Sequence, residues 1–84
     1  MDKVLIKLYV PMFEKKYEMW IPANKKIGNV IVMITKAISE MSGGYYKAVK
    51  KMPMLYNQET SEKYDVNLTI KDSSIRNGTE LVLM

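Results

Sequence analysis

The sequence predicts an α+β fold, a mixed sheet of four to five strands packed on one main helix, within a single domain spanning residues 1–84. Three observations carry this expectation. Two runs of alternating apolar and polar residues open the chain. An amphipathic stretch with helical spacing follows. Short apolar runs bounded by turn residues close it.

The first run is Lys3 to Val10. Alternation puts Val4, Ile6, Leu8 and Val10 on one face of a strand and Lys3, Leu5, Lys7 and Tyr9 on the other. Pro11 cannot donate to a ladder and ends it. A turn over Met12 to Lys16 leads to the second run, Tyr17 to Ile21, closed by Pro22. Two such runs joined by a short connection form an antiparallel hairpin. Ile27, Val30, Ile34, Ala37, Ile38 and Met41 then recur at three- and four-residue steps, which defines the helix. Asn24 is the capping candidate before it, and Gly43-Gly44 the left-handed stop after it.

Residues 45–53 carry two readings, a further helical turn or an irregular crossover. Met54 to Asn57 reads as a short strand. The polar stretch 58–63 reads as a loop, with a brief edge strand at Tyr64-Asp65-Val66. Ile70 and Ile75 anchor a helical turn between them. Asn77-Gly78 signals a turn, and Glu80 to Met84 forms the last strand.

Composition narrows the functions available. Cysteine and histidine are both absent. There is thus no disulfide, no thiolate or imidazole metal ligand, no thiol nucleophile and no histidine base. No phosphate loop, nucleophile elbow or dinucleotide fingerprint is present, and Glu59, Glu62 and Asp65 lie in a polar loop where solvation explains them. We therefore expect no enzyme, no cofactor and no metal. Of 13 Lys and Arg residues all but Arg76 are lysines, and they are scattered. A solvated surface accounts for them better than nucleic-acid recognition, which favours arginine forks clustered on one element. The N-terminus alternates charge with apolar groups, so neither a signal peptide nor a membrane span is expected, and the location is read as cytoplasmic.

The element order resembles the ubiquitin-like β-grasp over nearly the whole chain. Ile21-Pro22 leading into Ile27-Gly28-Asn29-Val30 and Ile34 is similar to ubiquitin's approach to its helix. Ile70-x-Asp72-x-x-Ile75-x-Asn77-Gly78-x-x-Leu81-x-Leu83, with Tyr17 to Ile21, resembles the YukD family of small bacterial ubiquitin-like proteins associated with type VII (WXG100) secretion. The resemblance implies a non-catalytic adaptor or accessory subunit whose protein partners belong to the secretion machinery. Ubiquitin conjugation needs a terminal Gly-Gly beyond the last strand; here the sequence reads Val82-Leu83-Met84, so conjugation is not expected. The resemblance also implies a strand order in which the last strand lies between the first and third, with the second beside the first.

That order identifies a candidate binding surface. With Val4, Ile6, Leu8, Met19, Ile21, Leu55, Leu81 and Leu83 facing the helix, the opposite face carries Leu5, Tyr9, Trp20, Tyr56, Val82 and Met84, with Lys3, Lys7 and Glu18 among them, and Tyr56, Val82, Met84, Leu5 and Trp20 are expected to be contiguous. Patches rich in Trp, Tyr and Met mark interfaces. A second reading stands beside it, in which 45–53 folds over part of this face or a register shift buries Trp20. Met19, Met33, Met41 and Met54 are read as core or core-edge fillers, and Met12 with Phe13 as a second contact at the hairpin tip. Self-association of the same face into a homo-oligomeric module is the alternative function.

Overall fold

The computed structural model describes residues 2–41, 43 and 53–84. The elements run β1 (Lys3–Val10), β2 (Lys15–Pro22), α1 (Ile27–Met41), β3 (Leu55–Asn57) and β4 (Glu80–Leu83). The four strands form one sheet in the order β2-β1-β4-β3, the order the resemblance implies. Residues 45–52 lie outside the described residues, so neither reading of that stretch is decided.

The hairpin forms as its alternation requires. Lys3 stands opposite Pro22, Leu5 opposite Trp20 and Lys7 opposite Glu18. Its turn is closed by the Phe13 and Glu14 amides, which donate to the Val10 and Pro11 carbonyls. β1 pairs β4 in parallel, and β4 pairs β3 antiparallel. Parallel neighbours need a crossover, and the chain between β1 and β4 supplies it with α1 on one face of the sheet.

The helix starts in a way the local sequence does not show. The Lys26 carbonyl accepts the Val30 amide, so Lys26, not Asn24, occupies the capping position. The next two donors, Ile27 and Gly28, are satisfied by carbonyls far along the chain, those of Leu68 (2.8 Å) and Val66 (3.0 Å). A helix leaves its first amides without internal partners, and here a later loop provides them. Gly28 permits that approach: a Cβ there would meet the Val66 carbonyl oxygen at 3.2 Å and its Cβ at 3.3 Å. At the other end the Gly43 amide bonds the Glu40 carbonyl with φ of 66°, the stop expected from sequence.

The core is almost purely aliphatic. Ile6, Leu8, Val10 and Ile21 from the hairpin and Leu55, Leu81 and Leu83 from the other strands pack against Ile27, Val30, Ile31, Ile34 and Ile38 of α1. Ile70 and Ile75 are fully buried at the two ends of a turn in which the Asp72 and Ser73 amides bond back to Thr69 and Ile70. Two expectations need correction. Met33 and Met41 are not core fillers but 51% and 57% exposed, because the helix stripe is wider than the sheet, which ends at β2. No edge strand forms at 64–66. The Asn57 amide instead donates to the Glu62 carbonyl and the Tyr64 amide to that of Leu55, so an irregular segment covers the β3 edge and Tyr64 is buried.

The Gly28 contact makes a direct prediction. Gly28→Val forces the Val66 loop away from the helix start, and overpacking of this kind costs about 1–3 kcal/mol. A lowered urea midpoint with an unchanged slope is the expected result.

Candidate binding surface

Cross-strand register determines what the outer face presents, because residues directly opposite one another project to the same side. Near the start of β1, Trp20 stands opposite Leu5. The next row is charged: Glu18 of β2, Lys7 of β1 and Glu80 of β4 lie side by side. Gln58 joins its end, donating its amide to the Glu80 carbonyl. One step further come Lys16, Tyr9, Val82 and Tyr56. Met84 follows on β4's side, its backbone paired both ways with that of Met54.

All six residues singled out in the sequence thus project from the outer face, but as two groups. Trp20 and Leu5 form one, and Tyr9, Val82, Tyr56 and Met84 the other. The single contiguous patch expected from alternation is corrected by the Glu18–Lys7–Glu80 row between them. Trp20 is 61% and Met84 63% exposed, while the other four are half-buried. The register shift that would bury Trp20 does not occur. At the hairpin tip, Met12 is exposed but Phe13 packs partly against the core, so only Met12 remains of that second contact.

Two features escaped the sequence reading. The Tyr64 hydroxyl accepts from Asn57 Nδ2 at 3.0 Å and lies 3.0 Å from Ser74 Oγ. That pins the polar segment beneath β3. The second is an apolar groove between β2 and α1, walled by Met19, Ile21, Met33, Ile34, Ala37 and Met41. Its signal lay in Met33 and Met41, which the sequence alone places in the core or at its edge.

The carboxylates weighed for acid–base work serve local structure. Asp65 Oδ1 accepts the Asn67 amide, Glu62 Oε1 accepts from Ser74 Oγ, and Glu59 is exposed. Among the described residues no group of three carboxylates is placed to hold a metal, and no helix is long and apolar enough to cross a membrane.

Lys7 separates two carboxylates in register, so its charge has a measurable consequence. Lys7→Glu lines up three like charges, and directly opposed like charges cost about 0.5–1 kcal/mol. The loss is expected to shrink at high salt, where exposed charges are screened; denaturation at two ionic strengths measures it.

No protein-family model matches the sequence, and no curated protein does. Solved structures do. The ubiquitin-like domain of the type VII secretion protein EccD1 from Mycobacterium tuberculosis is similar over 100% of this chain and 99% of its own, at 15% identity and a TM-score of 0.77. The EccD5 ubiquitin-like domain from Mycobacterium xenopi matches over 100% and 94%, also at 15% identity, with a TM-score of 0.80. A chain of the ESX-5 inner membrane complex is similar at 9% identity and a TM-score of 0.78, with all of this chain covering 21% of that one. Together with the sheet order and the single packed helix, these likenesses establish that the chain has a ubiquitin-like β-grasp fold.

Proposed function

We propose that this chain is a non-catalytic ubiquitin-like adaptor of a type VII secretion system, YukD-like in kind. It binds protein partners of that machinery non-covalently, on the cytoplasmic side. The observation that carries the reading is the outer sheet face, where the register sets half-buried Tyr9, Val82 and Tyr56 in one row with exposed Met84 beside them as an aromatic and apolar terrace. Tyrosine gives large contact area at low entropic cost and is enriched where interfaces concentrate their energy.

The relation to secretion rests on the likeness to EccD ubiquitin-like domains and to a chain of the ESX-5 inner membrane complex. The mode of binding rests on chemistry. The terrace offers apolar area and two phenols, and the neighbouring Glu18–Lys7–Glu80 row offers alternating charge that fixes orientation. Such a surface holds a folded partner; it contains no group poised for bond making.

The test is titration of the isotope-labelled chain with the purified soluble domains of the secretion machinery from its own organism. Amide shifts are expected to concentrate on β1, β3 and β4, and Tyr56→Ala is expected to weaken binding at least about tenfold. Shifts confined to other surfaces, or none with any of those domains, overturn the reading. Trp20, the one tryptophan in the sequence, reports on the same face. Its emission is expected to be red-shifted and quenched by iodide in the free chain. Trp20→Ala is expected to change stability by less than about 0.5 kcal/mol, as at other exposed sites.

A further inference from the structure

The two edges of the sheet are treated differently. The β3 edge is occupied by Glu62 to Tyr64, whose backbone bonds it. No described residue lies along the β2 edge. Which backbone groups β2 presents there follows from its pairing. The Ala23 amide donates to the Asp2 carbonyl, whereas the Leu5 and Lys7 amides donate toward the β4 side. Odd-numbered residues of β2 therefore hydrogen-bond to β1, and Lys16, Glu18 and Trp20 point their amides and carbonyls outward. Pro22, with no amide, falls on the same outward set, where a proline is tolerated.

The open edge borders the apolar groove, about 340 Å³, whose far wall is Met33, Ala37 and Met41 of α1. A strand added to β2 satisfies the outward backbone groups, and what it carries on its inner side fills the groove.

We propose that the occupant is a second copy of this chain, joined β2 to β2 in an antiparallel, two-fold seam centred on Tyr17. The charge sequence of the strand selects both the occupant and the register. Hydrogen bonding requires the outward set of one β2, Lys16, Glu18, Trp20 and Pro22, to face even-numbered residues of the other. Centring on Glu18 sets Glu18 against Glu18, and centring on Lys16 sets Lys16 against Lys16. Centring on Met19 sets Lys16 against Pro22 and Glu18 against Trp20, so neither charge of the strand meets its opposite. Centring on Tyr17 places Lys16 of each copy opposite Glu18 of the other, twice, with both of those backbone exchanges intact, while Trp20 faces Glu14 of the turn, whose amide is bonded to the Pro11 carbonyl. The strand is self-complementary in charge in that register.

Edge lysines ordinarily guard a strand against indiscriminate pairing. Lys15 and Lys16 do so here, and Glu18 converts the guard into a code that a second β2 satisfies. The two-fold axis stands perpendicular to the sheet, so both helices lie on one side and the two grooves meet across the seam. Met33 and Met41 of both copies then cover each other. The seam uses no residue of the outer-face terrace, so this inference is independent of the adaptor reading.

Sedimentation of the full chain across a wide concentration range tests it. A reversible dimer is expected; Lys16→Glu alone and Glu18→Lys alone are each expected to weaken it at least about tenfold, and the double exchange to restore it. The register has its own probe, because the natural sequence contains no cysteine. Across the seam the two Tyr17 residues form a non-hydrogen-bonded pair, with Cα atoms about 4.5 Å apart, within disulfide reach. Tyr17→Cys is expected to cross-link on oxidation, while Met19→Cys, offset by four residues from its counterpart, is not. A monomer at every concentration, a dimer indifferent to the charge exchanges, or cross-linking through Met19→Cys instead each overturns the proposal. Should Tyr17→Cys fail to fold, the charge-exchange series decides alone.

Discussion

The parallel pairing of β1 with β4 is the contact on which the rest of this structure depends. It joins the two ends of the chain at the centre of the sheet, with Lys7 opposite Glu80 and Tyr9 opposite Val82. Its corner is set by Asn77-Gly78. Asn77 Oδ1 accepts the Leu5 amide at 2.9 Å, the Gly78 amide donates to the Leu5 carbonyl at 2.7 Å, and the Lys7 amide donates to the Thr79 carbonyl. Gly78 holds φ of 86° to make that turn, a conformation open to glycine at little cost. A parallel pair closes only after the intervening chain has been ordered, so this contact carries the loop-closure entropy of the whole crossover. The same register then fixes which side chains share each row of the outer face.

The helix is held by the other half of that crossover. The carbonyls of Val66 and Leu68 receive the first amides of α1, and the Ile70 and Lys71 amides donate to the Lys25 and Ala23 carbonyls. The approach to the helix and the segment leading to the last turn are thus stitched together by backbone, and the stitched segment brings Ile70 and Ile75 under α1. A short domain buries a smaller fraction of its surface than a large one does. Here the limited core is supplemented by long-range backbone pairing and by the Tyr64 hydroxyl network.

Much of this was legible in the sequence because local periods report local environment. The alternation of Val4, Ile6 and Leu8 against Leu5, Lys7 and Tyr9 maps onto the two faces of β1, and Asn77-Gly78 turns as its residues require. What was not legible depends on partners distant in the chain. Asn24 is the better capping side chain, but the cap is built by Val66 and Leu68. Tyr64 sits in a polar stretch, and its burial follows only from Asn57 and Ser74 converging on its hydroxyl. The division of the outer face is of the same kind. Glu18, Lys7 and Glu80 come from three strands, and each is unremarkable in its own run; only the register makes them a row. Met41 fits a helical stripe that is genuine, but the sheet beneath ends before it does, and Met33 is left exposed on the same side.

That last mismatch links the fold to its surfaces. A helix laid across a four-stranded sheet has its stripe covered where strands lie beneath it, and β2 is the last strand on one side. The β3 side is sealed by a segment of the same chain. On the β2 side the described chain leaves apolar helix surface, outward backbone groups and a graded charge sequence together. The Tyr9–Val82–Tyr56–Met84 terrace lies beyond the charged row and on the opposite face from the helix, so occupying one surface does not obstruct the other. Of the six outer-face residues Trp20 alone lies on the edge strand β2. A partner reaching the terrace from the β3 side leaves β2 free, whereas one that reaches Trp20 must approach the seam. The placement of a single tryptophan therefore separates a surface used by a monomer from one shared between two copies.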